Sequence, residues 1–171
     1  MCLYKISLSV NFKENILFDA RQLRELIIKP ALDSLQMYSV EAEEMLVFTC
    51  ASESLGGTYL KQVKGPALGI YQMEPATYTD IWENYIKYKT NLISIFALNF
   101  DAARIPNPER MIYDLRFATA MARIHYRRCK ESLPKAGDTK AMWEYYKKYY
   151  NTPLGKAEEE STLKHYLKFI K

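Results

Sequence analysis

Apolar residues return along this chain every three or four positions rather than every two, the spacing of helices that bury one face. The pattern predicts a mainly α fold. One stretch alternates instead, Ile6, Leu8 and Val10, and reads as a short edge strand or a frayed terminus. A first helix is expected from about Asp19 to Ser34, broken or kinked at Pro30, with Leu23, Leu26, Ile27 and Leu32 inward. A second begins at Ser39, a good N-cap, carries Glu41, Glu43 and Glu44 on a solvated first turn, and stops near Leu55 before Gly56 and Gly57. Residues 58–75 read as a loop or a small β-hairpin. Pro75 then opens a helix with Tyr78, Ile81, Trp82, Tyr85 and Ile86 on one stripe, followed by a short apolar helix from Asn91 to Phe100.

Past Pro106 and Pro108 the periodicity predicts the longest helix, from about Glu109 to Ser132, with Met111, Leu115, Ala118, Ala122, His125 and Cys129 in register. Ala118 and Ala122 would let a neighbouring helix come close. Asp138 can cap the aromatic helix "TKAMWEYYKKYY", and "NTPLG" separates it from a last helix holding Leu163, Leu167 and Ile170. No repeat or long linker divides the sequence. Residues 1–171 therefore read as a single domain: an N-terminal extension (1–18), a core (39–155) and a C-terminal helix (156–171).

Composition narrows the class. With 171 residues, 49% of them hydrophobic and 13% aromatic, the chain can bury one substantial core. A net charge of +4 suits an anionic polymer such as cell wall or nucleic acid and demands neither. No apolar run approaches the roughly 18 residues of a membrane span, and the first residues lack the signature of a signal peptide, so the expectation is a soluble protein made in the cytoplasm. Cys2, Cys50 and Cys129 match neither a metal site nor a disulfide framework; free thiols are expected, with no metal and no cofactor. His125, on an apolar stripe, reads as a hydrogen-bonded core histidine.

Glu53 is the position that asks for chemistry. It closes the run "MLVFTCASE", seven residues after Leu46 and three after Cys50, and so continues the buried stripe of its helix. A carboxyl there would resist ionisation and could donate a proton near neutral pH. On spacing alone, the competing reading is a glutamate that emerges into water at the helix end.

The phrase "GIYQMEPAT" comes next. Glu53-Ser54 at a helix end, a loop, then Gly69, Gln72, Pro75 and Thr77 resemble the soluble lytic transglycosylases and goose-type lysozymes of the lysozyme-like fold, whose pattern is Glu-Ser followed by Gly-Leu-Met-Gln-x-x-Pro-x-Thr. "YDLRFATAMARIHY" and "YYNTPLG" echo, in the right order, that family's small-residue helix and its Tyr-Asn-Ala-Gly. The likeness covers roughly residues 40–155 and extends to small phage proteins that carry peptidoglycan-cleaving domains. Tyr71 and Glu74 depart from the family's apolar residues, Asp114 stands where asparagine is frequent, and Thr152-Pro153 replaces Ala-Gly, which could displace Tyr150.

The resemblance implies cleavage of the β-1,4 bond between N-acetylmuramic acid and N-acetylglucosamine in peptidoglycan, with Glu53 as general acid and base. It also implies substrate contacts or support from Ser54, Gly69, Tyr71, Gln72, Tyr150 and Asn151. Transglycosylase and hydrolase both fit, and Glu74, Asp80 and Asp114 are candidates for a second carboxylate. The partner would be the glycan strand, joined by other virion proteins if the chain belongs to a phage particle. A noncatalytic wall-binding or virion structural protein on the same fold is the alternative. A basic nucleic-acid-binding module, using the lysine-tyrosine run at 145–150, is the third reading, though no nucleic acid is expected.

Overall fold

The computed structural model describes residues 18–151 and 155–171. The expected strand at Ile6 to Val10 and the departure at Thr152-Pro153 lie outside them. Within them the fold is mainly helical. The first helical segment runs unbroken through α1 (Ala20–Gln22), a π turn (Leu23–Ile28) and α2 (Lys29–Ser34), with the Asp19 carboxylate capping the Arg21 and Gln22 amides.

Pro30 is accommodated without a break. It offers no N–H and crowds the carbonyl four residues back, and the wider turn before it relieves both, so that the Lys29 amide reaches back five residues to Arg24. The wider turn also moves the register. Leu23, Ile28, Leu32 and Leu35 are buried, whereas Leu26, expected inside, is 62% exposed.

The second helix, α3 (Val40–Ser54), begins where Ser39 accepts a hydrogen bond from Ala42 at 3.1 Å. All seven residues from Met45 to Ala51 are buried, so this helix is apolar all round and sits at the centre, with α2 and the helices Leu115–Arg127, Thr139–Tyr146 and Glu159–Phe169 packed about it. Its first-turn acids are not simply solvated: Glu43 and Glu44 flank the Arg24 guanidinium at 3.1 and 3.0 Å, and Tyr166 donates to Glu44. The helix ends with Leu55 in the left-handed region (φ 52°), and the amides of Leu55 and Gly56 both close on the Cys50 carbonyl.

In the 58–75 segment two isolated antiparallel bridges, Lys61 with Leu68 and Leu68 with Met73, stop short of a strand. Beyond it lie α4 (Pro75–Asn84) and α5 (Thr90–Asn99). The predicted long helix is two: α6 (Arg110–Tyr113) and α7 (Leu115–Arg127), parted by Asp114 in extended geometry. Asp114 caps α7 through the Phe117 amide at 2.9 Å and holds Arg110 at 2.8 Å, an N-cap in the middle of an apolar period. Asp138 caps α8 (Thr139–Tyr146), which widens into a π turn over Lys147–Asn151. In α9 (Glu159–Phe169) the buried face is Thr162, Tyr166 and Phe169, while Leu167 and Ile170 are exposed. Among the described residues no helix is long and apolar enough to cross a membrane.

Candidate active site

The end of α3 opens on a cleft of about 830 Å³, whose lining includes Glu53, Gln72, His125, Tyr146, Tyr150 and Asn151. α3 supplies the acid, the 58–75 segment one wall, and the end of α8 with its π turn the other. Glu53 is half-buried, and Tyr146 donates a hydrogen bond to its Oε1 at 2.7 Å. Loss of water around the carboxyl outweighs that bond and pushes its pKa up to about 7. The carboxyl therefore keeps its proton far closer to neutrality than an ordinary glutamate.

Ser54, the next residue, is fully buried and does not face the cleft. Its hydroxyl donates to the Ile70 carbonyl at 2.7 Å, has the Cys50 carbonyl at 3.0 Å, and accepts from the Gly57 amide at 2.9 Å. One side chain thus ties the helix end to both the glycine turn and the "GIYQM" loop. Gly69 is buried too, and its φ of 72° is one that L side chains rarely adopt. A Cβ there would meet the Met111 carbonyl oxygen at 2.3 Å, so the close backbone approach is to the protein's own chain rather than to the cleft. Tyr71 is likewise a core residue: its hydroxyl donates to Thr119 at 3.1 Å while its carbonyl accepts from Tyr150 at 2.8 Å.

Gln72 does line the cleft. It is held in a left-handed conformation (φ 45°), and its amide nitrogen donates to the Gly69 carbonyl at 2.9 Å and the Tyr59 carbonyl at 3.3 Å. Tyr150 lines the opposite wall, stacked on Tyr146 with ring centroids 6.2 Å apart. Asn151 accepts from the Lys147 ammonium at 2.9 Å, which also holds the Gly155 and Ala157 carbonyls at 2.6 and 3.0 Å. That single amine fixes the cleft's far edge.

Of the residues singled out from sequence, Glu53, Gln72, Tyr150 and Asn151 meet at the cleft, while Ser54, Gly69 and Tyr71 support it from behind. The residue that was missed is Tyr146, the one in contact with the carboxyl. A signal existed: Tyr146 lies one helical turn before Tyr150, on the same face of the aromatic helix. His125 is hydrogen-bonded as a packed histidine should be, through Nε2 to the Tyr149 carbonyl at 2.8 Å, yet it also lines the cleft with its ring edge against Tyr150. Burial holds its pKa below the ordinary value.

Among the candidate second carboxylates, Glu74 lines the cleft at its exposed rim. Asp80 pairs with Arg128 at 2.5 Å and Asp114 caps α7, and neither lines it. Among the described residues no three His, Cys, Asp or Glu side chains are grouped to hold a metal ion. No known protein family, curated protein or solved structure matches the chain.

Proposed function

We propose that the cleft cleaves the β-1,4 glycosidic bond between N-acetylmuramic acid and N-acetylglucosamine in peptidoglycan, as a lytic transglycosylase on a lysozyme-like fold. The observation that carries this reading is the water-poor Glu53 carboxyl, hydrogen-bonded by Tyr146 on the lining of a cleft large enough for sugar rings, with its pKa pushed up to about 7. Its proton passes to the glycosidic oxygen as that bond breaks. The resulting carboxylate then accepts the proton of the muramic acid C6 hydroxyl, whose oxygen closes on C1. The product is a 1,6-anhydro sugar, no water is consumed, and Glu53 is protonated again at the end.

Transglycosylation is favoured over hydrolysis because Glu53 is the sheltered carboxyl of the cleft, and Glu74, the other carboxylate on its lining, stands at the exposed rim. A hydrolase needs a second carboxylate placed across the sugar to direct water or to attack C1. Clearing of a cell-wall suspension, with mass spectrometry of the released fragments, tests the reading. The native chain is expected to release anhydro-terminated products, and Glu53→Gln to lose activity by about a hundredfold or more. Equal activity in the two proteins removes Glu53 from the chemistry. Binding without cleavage in both leaves the noncatalytic wall-binding protein, and reducing ends in place of anhydro ends make the enzyme a hydrolase.

A further inference from the structure

At the far edge of the cleft, behind the wall that carries Tyr146, one ammonium is shared among three uncharged oxygens. Lys147 is half-buried, with its Nζ 2.9 Å from Asn151 Oδ1, 2.6 Å from the Gly155 carbonyl oxygen and 3.0 Å from that of Ala157. The Trp143 ring, one turn back, has its centroid 5.9 Å from the same Nζ. An ammonium has three N–H groups and no lone pair, so it can only donate, and these three acceptors use it fully.

That charge settles which way an amide faces. Asn151 must turn its Oδ1 toward Lys147, which leaves Nδ2 as the end free to donate elsewhere. The fit around the oxygen is close, since a Cβ on Gly155 would fall 2.2 Å from Asn151 Oδ1. The π turn Lys147–Asn151 brings Tyr146 and Asn151 to the same wall of the cleft. There the Asn151 side chain hydrogen-bonds the Tyr146 hydroxyl, and with Oδ1 occupied the donor is Nδ2. The phenol carries a single hydrogen, which goes to Glu53 Oε1 at 2.7 Å. Three bonds thus point one way, from Lys147 through Asn151 and Tyr146 to Glu53, and each polarises the next. An amide turned over would offer Tyr146 an acceptor in place of a donor, and the phenol hydrogen would be divided between Asn151 and Glu53.

We propose that Lys147 is a positioning residue for the acid: by fixing the Asn151 amide, it reserves the Tyr146 hydrogen for Glu53. Lys147 does not itself line the cleft and acts through two intermediaries. Its importance for turnover rests on the glycosidase reading, whereas the run of bonds does not.

A carbon NMR titration of the Glu53 carboxyl tests the relay without any substrate. Tyr126 and Tyr150, which stand near Glu53, are held by burial far above their ordinary pKa and stay uncharged throughout, while burial keeps His125 below its own. Glu74 and Lys156 line the same cleft and are unaltered in every variant. Lys147→Met is expected to raise the Glu53 midpoint above the native value of about 7. In a Tyr146→Phe background the same substitution is expected to leave the midpoint where it is, since no phenol hydrogen remains to be placed. Lys147→Gln keeps a polar side chain beside the two carbonyls but imposes no direction on the Asn151 amide. It is expected to give part of the rise, and serves as the test if Lys147→Met does not fold. A fall, an unchanged midpoint, or an equal change with and without Tyr146 overturns the proposal. In cell-wall clearing, the upper limb of the pH–rate profile should follow the NMR midpoint from variant to variant, and a limb that stays while the midpoint moves overturns the role in turnover. A native protein that clears no wall defeats the glycosidase reading, and the titration then decides on Lys147 alone.

Discussion

With its pKa at about 7, Glu53 carries its proton through the acid range and releases it around neutrality. In the proposed role of general acid it should therefore work best below pH 7 and fade as pH rises through that value. Tyr146 donates to the carboxylate and so favours the ionised form; Tyr146→Phe is expected to move the upper limb of the pH–rate profile to higher pH. Stability gives an independent check. Between the ordinary glutamate value of 4.5 and the folded value of about 7, the native protein holds a proton that the unfolded chain has lost. Stability accordingly falls as pH rises through that window, by at most on the order of 3 kcal/mol. Glu53→Gln has no such proton, so urea titrations should find it close to the native protein near pH 4.5 and more stable above pH 7.5. The sheltered position of Glu53 was only partly legible: helical spacing puts it on the stripe of Leu46 and Cys50, but the same spacing also fits a glutamate emerging into water at the helix end. Tyr146 was not, because contact between residues 93 positions apart depends on how α3 and α8 pack, which periodicity does not encode.

At the scale of elements, the cleft depends on joints rather than on helix lengths. Ser54→Ala would strand the Ile70 carbonyl and the Gly57 amide in the interior, a loss of about 2 kcal/mol or more. Urea unfolding measures that loss, and a weaker apparent affinity for glycan should accompany it as Gln72 loosens. Caps and breakers explain where the elements were legible: Ser39, Pro75 and Asp138 each start a helix where the sequence placed one. They also explain where it misled. Asp114 reads equally well as a helix surface residue or as a cap, and the hydrogen bond its carboxylate accepts from the Phe117 amide fixes the second role. The π turn before Pro30 shifts the buried face by a fraction of a turn, so Leu26 meets water although its spacing from Leu23 is helical. Leu26→Lys should change stability by less than about 0.5 kcal/mol, whereas Leu23→Ala should cost about 2–5 kcal/mol.

For the whole molecule, α9 belongs to the same core as the acid. Tyr166 and Phe169 are buried against the back of α3, with the Tyr166 ring 5.1 Å from Phe48 and the Phe169 ring over Gly56. Phe169→Ala should cost about 3–5 kcal/mol in thermal or urea unfolding. The centre of that core also shields a thiol: Cys50 is fully buried and its pKa is pushed up to about 12, so a thiol reagent should modify Cys129 in the native protein and reach Cys50 only after unfolding.

Gly69 shapes what mutagenesis can reveal. With the Met111 carbonyl oxygen where a side chain would begin, every replacement at this position will be purged from a saturation library, whatever property is being selected. Gly137, whose Cβ would meet nothing within 4 Å, offers the control for its positive φ alone. A blank column at position 69 beside a tolerant one at 137 would therefore report on assembly of the chain, whereas under the proposed function the columns at cleft positions such as 53, 72, 146 and 150 would report on turnover.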